Sequence, residues 1–107
     1  MPTVYVTQQN PTFNYAPATR FGRLEFLWPP GYQLQANGDQ AMASLEAALA
    51  EATDSDYLLL TGDPSIMGLA AVVMARRTGH LNILKWDNAL RDYYVVEANV
   101  LPGRVAA

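Results

Sequence analysis

The chain has 107 residues, half of them apolar and 16% charged, with a net charge of −3, one histidine and no cysteine. Such a composition belongs to a folded chain with material for one core, and it excludes disulfides, thiolate metal sites and cysteine nucleophiles. The lone His80 excludes any site that needs two imidazoles in one chain, and the acidic balance gives no broad basic field for duplex nucleic acid.

Thr3-Val4-Tyr5-Val6-Thr7 is β-branched and aromatic, a strand that starts almost at the first residue. Gln8-Gln9-Asn10-Pro11 ends it. The following TFNYAPATRFG has two prolines and no period, so it reads as an ordered loop whose Phe13, Tyr15 and Phe21 pack down on the core. Arg23 to Leu27 forms a second strand, and Trp28-Pro29-Pro30-Gly31-Tyr32 is a sharp connector, because proline cannot donate to a ladder. Asn37-Gly38-Asp39 is a turn, with Asp39 the expected N-cap of an alanine-rich helix over about 40–52. Met42, Leu45, Leu49 and Ala52 make its apolar stripe.

The stretch Asp56 to Gly79, DYLLLTGDPSIMGLAAVVMARRTG, is the centre of the reading. The unbroken run Tyr57 to Leu60 predicts a strand covered on both faces. Asp63 and Pro64 supply an N-cap and a first helical residue, so a helix should run from Pro64 to about Thr78. Arg76 and Arg77 suit its last turn and Gly79 its end. From Ile66 to Ala75 this helix has no polar face, which calls for cover on most sides by the rest of the chain or by a second copy. Gly68 in its middle, costly by about 1 kcal/mol against alanine, suggests the close approach of another backbone. His80 follows as a surface turn residue. Leu81 to Trp86 and Tyr93 to Ala98 then form an antiparallel hairpin around a polar turn, Asp87 to Asp92. A tail from about 101 to 107 should fray.

The order β-β-α-β-α-β-β predicts an α/β fold: a small single domain over 1–107. Its sheet should have about five strands, parallel at the centre with an antiparallel edge hairpin, and helices packed on it. No stretch is apolar for long enough to span a membrane and no signal peptide opens the chain, so a cytoplasmic setting is expected.

Ligands of open parallel sheets sit at the carboxyl ends of the strands, near a switch in strand order. That rule collects a candidate ligand edge: Thr7, Gln9 and Asn10; Thr61, Gly62, Asp63 and Ser65; Lys85, Trp86 and Asp87. TGDPS lacks the glycines and lysine of a phosphate loop, and Asp63 would face an anion with its own charge. Ser65 and His80 lie at opposite ends of a helix of about 15 residues, roughly 20 Å apart, which excludes a nucleophile–base pair. Asp63 with Asp87 falls short of a metal site. No catalytic residue, cofactor or metal is assigned. Lys85, Trp86, Arg91, Tyr93 and Tyr94 interleave basic and aromatic groups as single-strand binders do, but Asp87 and Asp92 offset the charge.

Several blocks, TVYVTQ, FGRLEFL, YLLLTGDPSIMGLA, LNILKWD and YYVVE, resemble short bacteriophage-encoded proteins of unassigned function. The resemblance implies a phage accessory protein of the host cytoplasm and brings no catalytic motif with it. The leading expectation is a non-enzymatic interaction protein that self-associates through the helix 66–75 or a sheet edge, with a host protein as a further partner. The rival is a small-ligand or nucleotide-binding protein, or a hydrolase, built on the strand edge; Asp63 turned into a pocket there would favour it. Single-stranded nucleic-acid binding by the hairpin 85–94 is the third reading.

Overall fold

The computed structural model describes residues 1–32, 34 and 36–101. Past Leu101, the tail expected to fray lies outside the described residues. One sheet holds five strands: β1 (Thr3–Val6), β2 (Arg23–Phe26), β3 (Tyr57–Leu59), β4 (His80–Asp87) and β5 (Asp92–Asn99). Their spatial order is β2-β1-β3-β4-β5. All neighbours are parallel except β4 and β5, which form the expected antiparallel hairpin. β3 is thus the central strand, and Leu58 and Leu59 are buried on its two faces, as the unbroken apolar run requires.

Helices α1 (Gly38–Ala48) and α2 (Pro64–Thr78) lie side by side on one face. There Leu45, Leu49, Ala70, Val73 and Met74 close over Tyr5 and Leu58. The chain leaves β1 in the opposite direction along the sheet. Right-handed crossovers therefore put the β1–β2 connection on the other face. A short 3-10 helix, Ala16–Arg20, covers that face, with Tyr15 and Ala18 against Val4, Val6, Leu59, Leu84 and Tyr93. Each of the fully buried Leu45, Leu49, Leu58, Ile66 and Met74 contributes about 1.5–3 kcal/mol by leaving water.

The caps of α2 are those the sequence predicts. The Asp63 side chain accepts from the Ser65 N–H, Pro64 opens the helix, and Gly79 ends it in the left-handed region at φ 74°. α1 begins earlier than expected. Its N-cap is Asn37, whose Oδ1 accepts from the Gln40 N–H at 3.0 Å, while Asp39 sits inside the first turn. Asn37 competes successfully because Gly38 can take the first helical position, and Asp39 there still faces the positive end of the helix dipole. α1 also stops at Ala48, and a tighter turn carries Leu49 and Ala52 into the core.

Two expectations are corrected. Over 66–75, α2 is at least partly covered at every position except Gly68 and Val72, which lie with Ser65 and Arg76 on one outward stripe, Val72 being 47% exposed. A Cβ built on Gly68 meets nothing within 4 Å, so no backbone among the described residues approaches it. His80 is not a surface turn residue but the first residue of β4. Its Nδ1 lies 2.6 Å from Asn99 Oδ1 and its Nε2 3.0 Å from Asn82 Oδ1. The Asn82 amide is oriented by its own Nδ2, which donates to the carbonyls of Asp54 and Asp56. Asp56 in turn accepts from the N–H groups of Thr3 and Thr53, so one polar chain ties the amino ends of β1, β3 and β4.

With an acceptor at each ring nitrogen, Asn99 first, and Glu97 at 3.7 Å, His80 is pushed above its ordinary value of 6.5 against the opposing effect of burial. A raised folded pKa gives stability that is present in full below 6.5 and lost as pH rises through the folded value. Urea unfolding from about pH 6 to about pH 9 should show this decline in the wild type and a flatter profile in His80→Gln. Gly68→Ala should raise stability by about 0.5–1 kcal/mol in thermal unfolding, as in any open helical position.

Candidate functional site

Where β1 and β3 end side by side, the chain turns in opposite directions, and this is the switch point of the sheet. Most of the candidate edge residues meet here, and they bond chiefly to one another. Thr7 Oγ1 donates to the Thr61 carbonyl at 2.6 Å, and the Thr61 N–H donates back to Thr7 Oγ1 at 3.0 Å. Thr61 Oγ1 donates to the Gln8 carbonyl at 2.7 Å. Its proton is therefore committed, so the Tyr15 hydroxyl, 3.0 Å away, donates to it and accepts from the Asn10 N–H. Thr7, Gln8, Tyr15 and Thr61 are all buried. Each polar group thereby finds a partner that removal from water would otherwise make costly.

Gln8, which is not among the candidate ligand residues, is the latch of this arrangement. Its Oε1 accepts from the Asp63 N–H at 2.7 Å, and its Nε2 donates to the carbonyls of Pro29 and Tyr32. One side chain thus joins the end of β1, the turn after β3 and the connector after β2. Gly62 makes room for it: φ is 95°, and a Cβ there would stand 2.4 Å from the Gln8 Cβ.

Asp63 turns back to the protein. Oδ1 accepts from the Ser65 N–H at 2.8 Å and Oδ2 from the Leu34 N–H at 2.9 Å. These donors, Leu34 first, hold its carboxyl below the ordinary value of 3.8. The start of α2, the natural seat for an anion, is already faced by a carboxylate.

Beside this knot lies an open depression of about 580 Å³, lined by Gln8, Gln9, Asn10, Tyr32, Gly62 and Asp63 among others. Asn10 Oδ1 is taken by the N–H and hydroxyl of Thr12. Ser65 faces a different groove, beside Gly68 and Val72. Lys85 is exposed and paired with Tyr94 in the hairpin ladder. Asp87 Oδ1 accepts from the N–H groups of Ala89 and Leu90 and so shapes the hairpin turn. Asp63 and Asp87 are therefore each engaged in their own turns.

Trp86 belongs to a second concavity of about 460 Å³, with Thr12, Phe13, Asn14, Asn88, Arg91 and Tyr93. Phe13 is half exposed there, whereas Tyr15 and Phe21 pack down as expected. The Phe13 contribution had no signal in the sequence beyond its aromaticity, because it depends on the loop folding across to the hairpin.

The model of the phage Pam3 gp32-like protein family matches residues 2–100, from just before β1 to one residue past β5. The chain belongs to that family. No curated protein and no solved structure matches it. In this Pam3 gp32-like chain, no helix among the described residues is long and apolar enough to cross a membrane.

Gln8→Ala should destabilise the protein by about 2 kcal/mol or more, since it leaves the Asp63 N–H and two carbonyls unpaired. Gln8→Glu should not rescue it at neutral pH, because a carboxylate oxygen would then oppose the Pro29 and Tyr32 carbonyls. Urea unfolding of the three proteins measures both effects.

Proposed function

We propose that this phage protein is a non-enzymatic accessory module that works by association, first of all with a second copy of itself, along the free edge of β5. The observation that carries this reading is the edge itself. β5 is eight residues long, pairs on one side only among the described residues, and is exposed from Tyr94 to Asn99. Tyr94, Val95 and Val96 are each about two-fifths exposed. An outer row of backbone donors and acceptors beside uncovered β-branched and aromatic side chains is a template for another strand. Natural edges of this length usually carry lysine, proline or a bulge against such pairing, and β5 has neither residue.

A second copy suits this edge by charge and by shape. Cross-strand neighbours share a face, so Tyr94 and Val96 lie with Lys85 and Ile83 on the helix side, and Val95 lies with Leu84 on the other. Antiparallel pairing about Val95 keeps the faces in register and sets Tyr94 of each copy beside Val96 of the other, an aromatic–β-branched pair. Glu97 then opposes Tyr93 and Asp92 opposes Ala98, so no carboxylate meets another. The engaged polar groups at the switch point support association over catalysis as the main role: Asp63 caps a helix, and Thr7, Thr61 and Gln8 hold the fold. The outward stripe of α2 offers a smaller apolar area, with Gly68 and Val72 at its middle.

Sedimentation equilibrium at high micromolar concentration should give a dimer for the wild type and a monomer for Val96→Lys, with unchanged circular dichroism. A strict monomer for the wild type would remove the self-association, and a Val96→Lys dimer would move it away from β5.

A further inference from the structure

The concavity between the loop Thr12–Asn14 and the β4–β5 hairpin has features the association reading does not use. We infer that it is a binding site for a small planar aromatic anion, a ring that carries a phosphate or carboxylate. Its volume, about 460 Å³, is that of a small-molecule pocket and fits one such ligand. Three aromatic rings line it: Phe13 from the loop, and Trp86 and Tyr93 from facing positions of the hairpin.

Two of these rings are fixed in advance. Trp86 and Tyr93 meet edge to face with centroids 5.0 Å apart, and Trp86 Nε1 donates to Asn88 Oδ1 at 2.8 Å. Tyr93 is also held through its backbone: Arg20 donates to its carbonyl at 2.7 Å and pairs with Asp92 at 3.0 Å. Phe13 has half its surface exposed, area that a stacked ligand would cover.

The charged residue that lines the site is Arg91, and the nearby carboxylates have partners of their own. Asp87 accepts from the N–H groups of Ala89 and Leu90, and Asp92 is paired with Arg20. Arg91 lines the concavity and has no ion pair among the described residues. It also sits at φ 52°, a conformation that glycine or asparagine would take more cheaply. The Arg91 guanidinium thus lines the same concavity as three rings, suited to an anion bonded in bidentate fashion while the attached ring stacks. Asn14 and Asn88, whose Oδ1 atoms accept from the Ala16 N–H and Trp86 Nε1, leave their Nδ2 donors on the rim for polar groups of the ligand.

The test is isothermal titration of the full chain with adenosine monophosphate, 4-hydroxybenzoate, adenosine, inorganic phosphate and a short oligothymidylate. Arg91→Asn, which keeps the left-handed residue acceptable, and Phe13→Ala, which alters an exposed ring, serve as variants. At least one of the two aromatic anions should bind, and which of them does so identifies the source as a nucleotide or an aromatic acid. Arg91→Asn should weaken that binding tenfold or more while leaving adenosine unaffected, and Phe13→Ala should weaken every ring-bearing ligand. Absence of binding by both aromatic anions would overturn the proposal. So would affinity unchanged by both variants, phosphate binding as tightly as the aromatic anions, or binding of the oligothymidylate alone.

Discussion

The reciprocal pair of hydrogen bonds between Thr7 and Thr61 is the constraint on which the rest of the structure depends. β1 and β3 run parallel up to this point and then part. The chain from β1 goes to one face and one direction, and the chain from β3 goes to the other. At such a divergence the ladder ends and backbone groups lose their regular partners. The two threonines replace the missing ladder bonds with side-chain bonds, and Gln8 extends the replacement to the connector after β2. Because Tyr15 closes the same network from the loop after β1, the covering layer on the second face is anchored at the same place.

The opposite ends of the parallel strands are tied by a different device. Asp56 and Asn82 take up the free N–H and C=O groups at the amino ends of β1, β3 and β4, with His80 as their outermost member. The sheet centre is therefore pinned at both ends, while its flank at β5 is left open. The proposed association at β5 draws on both features. A strand template can recruit a partner only if the sheet that presents it does not fray.

Much of this was legible in the residues. The unbroken apolar run Tyr57 to Leu60 pointed to a strand buried on both faces, and β3 is the central strand. Asp63, Pro64 and Gly79 marked the limits of α2 because each satisfies a local backbone need that no distant contact alters. Where two local solutions competed, as between Asn37 and Asp39, the sequence could not decide, since both can cap and Gly38 permits the earlier start. The strand-end rule grouped Thr7, Thr61, Gly62 and Asp63, and these residues do lie together at one end of the sheet. What the rule could not show is that they bond to each other, because that depends on where Gln8, Tyr15 and Leu34 arrive from distant parts of the chain. Gly68 was misread for a similar reason: it lies with Val72 on the outward stripe of α2 and faces open space, which its place in the sequence could not show.

The polar strand edge is a structural fastening. Native-state amide hydrogen exchange tests this most directly, at the Asp63 N–H. That group lies in a turn beside an open depression and has only the Gln8 side chain as partner. If Gln8 and the threonine pair fasten the sheet, the amides of Thr61 and Asp63 exchange as slowly as those of the core strands, through global unfolding. Rapid exchange of Asp63 in a protein whose β3 amides stay protected would contradict the account.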